Sequence, residues 1–225
     1  MAEHDLAVTS TTDGRSHRLP FLAVLQVRDG RAAVSREYLN VLGLAEATGR
    51  LPALAAEIDA APAPAPTSWP GAVDPPPVPG PGNQSARAVF ARFQHAVLAN
   101  SADRMADVYA LGGVLELPFT IPGRPAPRFA GRAEIRARLR ELVGKGVRFE
   151  AYRNVRVHET TDPARIVVER DIASTLLATG QPHLMSYVYV IQVRDGRLAH
   201  VRDYVNPLSI AGASGGLTRM LQRAG

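Results

Sequence analysis

Gln192 to Pro207 reads QVRDGRLAHVRDYVNP, and Gln26 to Asn40 reads QVRDGRAAVSREYLN. In each stretch an alternating apolar run enters Arg-Asp-Gly and leaves as a second run that carries an acid followed by tyrosine. Asp-Gly between two such runs is the strongest short-range hairpin signal, because glycine accepts the positive φ a tight turn needs. Each stretch therefore reads as a β-hairpin with a carboxylate on its outgoing strand: Asp203 in one, Glu37 in the other.

The two hairpins belong to a longer repeat. At an offset of 166 (192 less 26) the chain also pairs Asp5 with Asp171, Gly14 with Gly180, His17 with His183, Tyr38 with Tyr204, Leu42 with Leu208 and Gly49 with Gly215. Roughly twenty identities over about fifty residues exceed what two unrelated hairpins would share. Residues 1–59 then read as a partial copy of the C-terminus: strands near 3–11, 17–28 and 31–40, and a helix over about 44–58. A three-stranded sheet with one bare apolar face must be buried against another layer. Its cover is expected from the rest of the chain or from a partner subunit, unless the natural protein begins further upstream.

Residues 60–84 are rich in proline and nearly uncharged, a composition that favours extended polyproline geometry and marks a semi-rigid linker containing Trp69. Residues 85–225 form the main domain. Ser85 is placed to cap a helix with Val89, Phe90, Phe93 and Val97 inward. A second helix is expected over 102–111, a short strand over 114–120, and a third helix over 131–143. Strands follow over about 148–159, 164–178, 183–194 and 197–205, with a short helix over 217–223. Helices first and an antiparallel meander of long strands afterwards define an α+β fold whose sheet curls over the helices around a pocket.

Composition narrows the function. The absence of cysteine excludes a disulfide scaffold and thiol catalysis. No apolar run reaches the roughly 20 residues a bilayer span needs, and the first ten residues lack a signal-peptide pattern, so the expected setting is the cytoplasm. The net charge of +5 comes almost wholly from dispersed arginine, with Lys145 the sole lysine. Arg132, Arg136, Arg138 and Arg140 fall on one predicted helix, where a solvated face suffices, and no nucleic-acid partner is expected.

The order of elements, with Glu116-Leu-Pro-Phe119, a Pro-Gly loop, Phe129-Ala-Gly-Arg132, Glu159-Thr-Thr-Asp-Pro163 and Arg202-Asp-Tyr-Val-Asn-Pro207, resembles the SnoaL-like group of the nuclear transport factor 2-like superfamily. Within it the sequence is most similar to the phenazine-biosynthesis A/B proteins. The resemblance covers residues 85–225 and implies a cone-shaped curved antiparallel sheet wrapped around three helices, commonly dimeric through the sheet. It also implies an acid at Asp203. Where the phenazine proteins use a histidine and a serine, this chain has Arg138 and Leu142, a departure from their condensation chemistry.

Asp203 alternates with Val201 and Val205 and so shares a face with apolar side chains. On a concave face, desolvation would lift its pKa into the working range of a general acid or base. His95, on the first long helix of the main domain, is the histidine assigned beside it, and Tyr109, Phe119, Tyr187 and Tyr189 are candidate pocket walls. Tyrosine and phenylalanine at such positions also serve as plain core. The histidines show no metal-ligand spacing, and no phosphate loop or serine triad is visible, so neither metal nor cofactor is expected. The reading is a cofactor-independent isomerase, cyclase or dehydratase acting on a small hydrophobic carbonyl-bearing metabolite of secondary metabolism, as a homodimer. The alternative is a non-catalytic binding or dimerisation module.

Overall fold

A computed structural model describes residues 2–10, 13–61, 72–80, 82–211 and 216–222. Trp69 and most of the proline-rich segment lie outside these. The described chain falls into two units: 1–63 with 118–126 and 206–225, and 64–117 with 127–205.

In the first unit, β1 (Ala2–Thr9), β2 (Ser16–Arg28) and β3 (Arg31–Leu39) form an antiparallel sheet in that order. The β2–β3 turn holds Asp29 and Gly30 at φ of 50° and 70°. α1 (Val41–Ala47) and α2 (Leu51–Ala60) replace the single helix expected over 44–58. The break lies at Gly49, whose φ is 68°, and Pro52 then restarts the chain in the first turn of α2. Asn40 begins α1, its side-chain oxygen accepting the Gly43 N–H at 3.2 Å while its amide donates to the Thr120 hydroxyl.

α6 (Pro207–Ala211) and α7 (Leu217–Gln222) belong to this unit as well. Leu42, Ala55, Ala211, Leu217 and Met220 form its helical core, with Leu51, Leu54, Ile58 and Ile121 packed around them. None of these helices exceeds 10 residues, and helices this short are marginal alone, so mutual burial of their apolar faces holds them. That packing places α1 and α2 in one unit with α6 and α7.

The second unit carries the cone. Its sheet runs β4 (Ala72–Val73), β7 (Val147–Glu159), β8 (Arg165–Leu176), β9 (Pro182–Arg194), β10 (Arg197–Asp203), β5 (Tyr109–Glu116), β6 (Arg128–Ala130). The meander β7 to β10 is antiparallel throughout, while β5 pairs parallel to β10. Inside the curve lie α3 (Ala86–Leu98), α4 (Ala102–Asp107) and α5 (Arg132–Glu141). Ser85 caps α3 as expected, its hydroxyl accepting the Ala88 N–H at 3.3 Å. α3 buries Val89, Phe90, Phe93 and Val97, and each buried phenylalanine contributes about 1.5–3 kcal/mol.

Residues 109–111, expected as the end of a helix, are the start of β5. The Leu198 N–H donates to the Val108 carbonyl at 3.0 Å, and Tyr109 takes its register from Leu198. Glycine is required at 113, where a Cβ would stand 2.9 Å from the Leu198 carbonyl oxygen. The β9–β10 turn holds Asp195 and Gly196 at φ of 51° and 65°, the same left-handed pair as Asp29 and Gly30.

Candidate functional site

Four adjacent strands bring one set of side chains to the inner wall of the cone. Arg170 on β8 stands opposite Tyr187 on β9, and Tyr189 stands opposite Asp203 on β10. Side chains on a strand alternate between faces, so Tyr187 and Tyr189 share this wall with Arg170 and Asp203. Tyr152 enters from β7, opposite Ile172. Behind them α3 places Phe93 with its ring centroid 6.0 Å from Tyr109 and 6.3 Å from Tyr189.

Arg170 is the centre of this group. Only 4% of it is exposed, and its guanidinium carbon lies 4.3 Å from the Tyr189 ring centroid, 4.9 Å from Tyr152 and 5.2 Å from Tyr187. Ring faces at these distances attract a cation through their quadrupole. The shielded Nε and Nη1 have no hydrogen-bond partner among the described residues, and N–H contacts to ring faces are weaker than those to oxygen.

Asp203 is half-buried, and its Oδ1 is shielded from solvent without a hydrogen-bond partner among the described residues. Burial raises its pKa to about 7 from an ordinary 3.8, and the nearby Arg170 guanidinium, the Tyr189 hydroxyl and Arg138 offset only part of that rise. Burial likewise pushes the hydroxyls of Tyr109, Tyr152, Tyr187 and Tyr189 above their ordinary range, so all four stay neutral. Arg138 on α5 pairs with Glu141 and lies over the Phe129 ring, and its charge is felt weakly at Asp203 and Tyr187. A carboxyl that titrates near neutrality, beside a fixed cation and among apolar rings, can carry a proton to or from carbon.

Asp203, Tyr109, Tyr187 and Tyr189 are thus gathered in one cluster, and His95 is not part of it. The His95 ring nitrogen Nε2 lies 2.7 Å from the Pro76 carbonyl, on the other side of α3 from Phe93. Phe119 is buried within the first unit. The residues that sequence reasoning missed are Arg170, Tyr152 and Phe93. The signal for Arg170 was present: Ile166, Val168 and Ile172 alternate around it, which puts a charge on a face that is otherwise apolar.

The outer face of the same sheet carries ordinary ion pairs. Glu116 gathers Arg128, His200 and Arg202, while His158 pairs with Glu169 at 2.6 Å. Arg136 and Arg140 bind Asp103 and Asp107, so the basic run on α5 is largely a salt-bridged face. An open groove of about 700 Å³ lies there too, lined in part by Val114, Arg128, Arg132, Arg194, Arg197 and His200. It is remote from the inner wall, because His200 and Asp203 point to opposite sides of β10. Among the described residues, no three His, Asp or Glu side chains converge as metal ligands, and no helix is long and apolar enough to cross a membrane.

A curved, mainly antiparallel sheet packed around three helices, with titratable groups on its inner wall, makes this an α+β protein of the cone type. Residues 90–201 match the SnoaL-like domain, and the chain belongs to that family. It is 34% identical over 112 residues to an uncharacterised PhzA/B-like protein of Pseudomonas aeruginosa, covering 49% of this chain and 77% of the relative. It is 27% identical over 134 residues to the uncharacterised protein YesE of Bacillus subtilis, covering 60% and 90%. Among solved structures, one named "Putative Isomerase from Bacillus subtilis" superposes with a TM-score of 0.53 at 27% identity, over 57% of this chain and 91% of that one.

Proposed function

We propose that this protein is a cofactor-independent acid–base enzyme that isomerises, cyclises or dehydrates a small hydrophobic carbonyl compound of secondary metabolism. The observation that carries the reading is Asp203: a carboxyl on the inner wall of the cone, lifted to about 7 by burial. As carboxylate it removes a proton from the carbon next to a carbonyl. The C–H bond breaks, its electron pair moves into the enolate, and the proton now on Asp203 returns to another carbon or to a departing hydroxyl, which leaves as water. Tyr109, Tyr187 and Tyr189 would wall the substrate. The protein acts as a homodimer in this reading, and residues 1–59 are a partial duplicate of the C-terminus. Turn residues of the same type and sign of φ at Gly14 and Gly180, and at the two Asp-Gly turns, favour the duplication.

A second reading is favoured by the tyrosines themselves. Tyr109 and Tyr152 are almost wholly buried and pack as a core would, which suits a binding module without turnover. Deuterium exchange at the carbon next to the carbonyl in hydrophobic cyclic ketones, followed by proton NMR in D2O, separates the two. The enzyme reading requires exchange faster than buffer alone that disappears in Asp203→Asn at an unreduced melting temperature. Equal exchange in wild type and Asp203→Asn would leave the binding module.

A further inference from the structure

The helix pair α6 and α7 repeats the pair α1 and α2 at the same offset as the two hairpins. α6 starts at 207, which is 41 plus 166, and α7 at 217, which is 51 plus 166. The strands before them agree in register: Ala23 stands opposite Glu37 as Tyr189 stands opposite Asp203, and His4 opposite Phe21 as Arg170 opposite Tyr187. These coincidences support the duplication reading. The two helix pairs also pack together, α1 on its counterpart α6 and α2 on its counterpart α7. Their shared core holds Leu42 with Leu208, Leu51 with Leu217 and Leu54 with Met220, each pair 166 residues apart. Two identical surfaces meeting about a two-fold axis bring a residue and its own copy into one contact, whereas unrelated surfaces have no reason to. α1 and α2 thus stand where a second α6 and α7 would stand.

We propose that α6 and α7 form a self-complementary contact surface whose partner is the same helix pair of a second copy of this chain, and that α1 and α2 occupy it from within as a built-in partner. The proposal rests on the duplication reading. Two departures from the repeat favour the internal occupant. Asp59 caps α7 through the Leu217 and Thr218 N–H groups, while the residue 166 positions after Asp59 is Gly225, which has no carboxylate. Pro52 stands where α7 has Thr218, and it has no N–H to be capped. A second α7 therefore cannot supply the cap that α2 supplies. Being on the same chain also gives α1 and α2 a high effective concentration at the surface. While they are seated, copies stay apart there; once they are unseated, copies join. The homodimer of the acid–base reading would use another surface.

The test uses the full chain, which has no cysteine, with Leu221→Cys as its sole thiol. Leu221 packs against the shared core and its counterpart Ala55 lies in that core, so pairing of two copies brings their 221 positions together. Seated α1 and α2 keep this protein at the wild-type mass by light scattering, with little disulfide-linked dimer under mild oxidation. Leu54→Asp puts a charge into the shared core, unseats α1 and α2, and at least doubles that mass, with disulfide linkage between copies. Adding Met220→Asp spoils the freed surface, and both mass and linkage return to the wild-type level. Leu54→Ala is the milder change at a partly buried site and decides the matter if the aspartate variant fails to fold. It raises the linked fraction at least about five-fold over wild type, because each contact α2 loses moves the balance towards the second copy. Linkage no higher than that of wild type in the folded variants would overturn the proposal. So would self-association that survives Met220→Asp without linkage at 221, which marks an adhesive α1–α2 surface and leaves the duplication reading standing. Proton exchange through Asp203 is scored separately, and its absence counts against the acid–base reading alone.

Discussion

The guanidinium carbon of Arg170 lies 4.3 Å from the ring centroid of Tyr189, the residue that stands in register opposite Asp203. Tyr189 therefore touches both charged groups of the site, with its face on the cation and its hydroxyl beside the carboxyl. The two contacts separate by substitution. Tyr189→Phe keeps the ring and loses the hydroxyl, which helps hold the Asp203 pKa down, so the Asp203 carboxyl-carbon signal should titrate above about 7 at little cost in stability. Tyr189→Leu loses the face, and a desolvated cation–π contact is worth about 2 kcal/mol, so chemical denaturation should show a loss of at least that size.

The pH dependence of stability follows from Asp203. Its native pKa, about 7, lies above the 3.8 of an unfolded aspartate, so between those values the native state binds more protons than the unfolded one. Stability from this group is greatest in acid and falls as pH rises through that window. Asp203→Asn removes the burial cost of the charge, so its melting temperature should exceed that of wild type at pH 8 and converge with it near pH 4. A variant less stable than wild type at pH 8 would mean that the ionised carboxylate is structurally paired.

These relationships were unevenly legible in the sequence. The hairpins and the meander followed from Asp-Gly turns and strict alternation, signals that act over a few residues, whereas alternation put Asp203 on a face with Val201 and Val205 without saying whether that face is the concave one. Tyr109 was expected on a helix because Met105, Val108 and Tyr109 fit a helical period, and only pairing with Leu198, about 90 residues away, makes it strand. Arg170 was hidden by its neighbours: Glu169-Arg170-Asp171 looks like a solvated charge run, although alternation turns Arg170 inward. Glu169, on the opposite face, is satisfied by His158. The union of α1 and α2 with α6 and α7 depends on apolar contacts between short helices far apart in the chain, which no local pattern encodes.

Asn100 ties α3 to the sheet. Its side chain accepts the Phe149 N–H at 2.7 Å and donates to the Phe149 carbonyl at 2.9 Å, and its own φ is 50°. Asn100→Ala removes both bonds, leaves both Phe149 backbone groups in need of partners, and puts a residue without a polar side chain in the left-handed region. Two bonds at roughly 1 kcal/mol each, with added strain, predict a loss of about 2–3 kcal/mol in urea unfolding. Asn100→Gly relieves only the strain, so it should lose less than Asn100→Ala. If the two variants were equally stable, backbone conformation would have no share in the effect.

Asp59, at the end of α2, caps α7 from 158 residues away in sequence. Its carboxylate accepts the Leu217 N–H at 2.5 Å and the Thr218 N–H at 3.2 Å, and the Thr218 side-chain hydroxyl first, then these two amides, hold its pKa below the ordinary 3.8. The approach is close enough that a Cβ on Gly216 would meet Asp59 Oδ1 at 2.6 Å, and Gly216 has a φ of 108° besides. Asp59→Ala leaves the first amides of α7 open, so hydrogen exchange should accelerate at Leu217 and Thr218 first and at Met220 to a smaller degree. Gly216→Ala should produce the same pattern by forcing the carboxylate away. Because the Asp59 pKa is lowered by folding, the cap contributes above pH 4 and is lost as pH falls through the native value, so wild-type exchange at these amides should approach that of Asp59→Ala in acid. Protection at Leu217 that is unchanged in Asp59→Ala would show that apolar contacts of Leu217 and Met220 hold α7 without its cap.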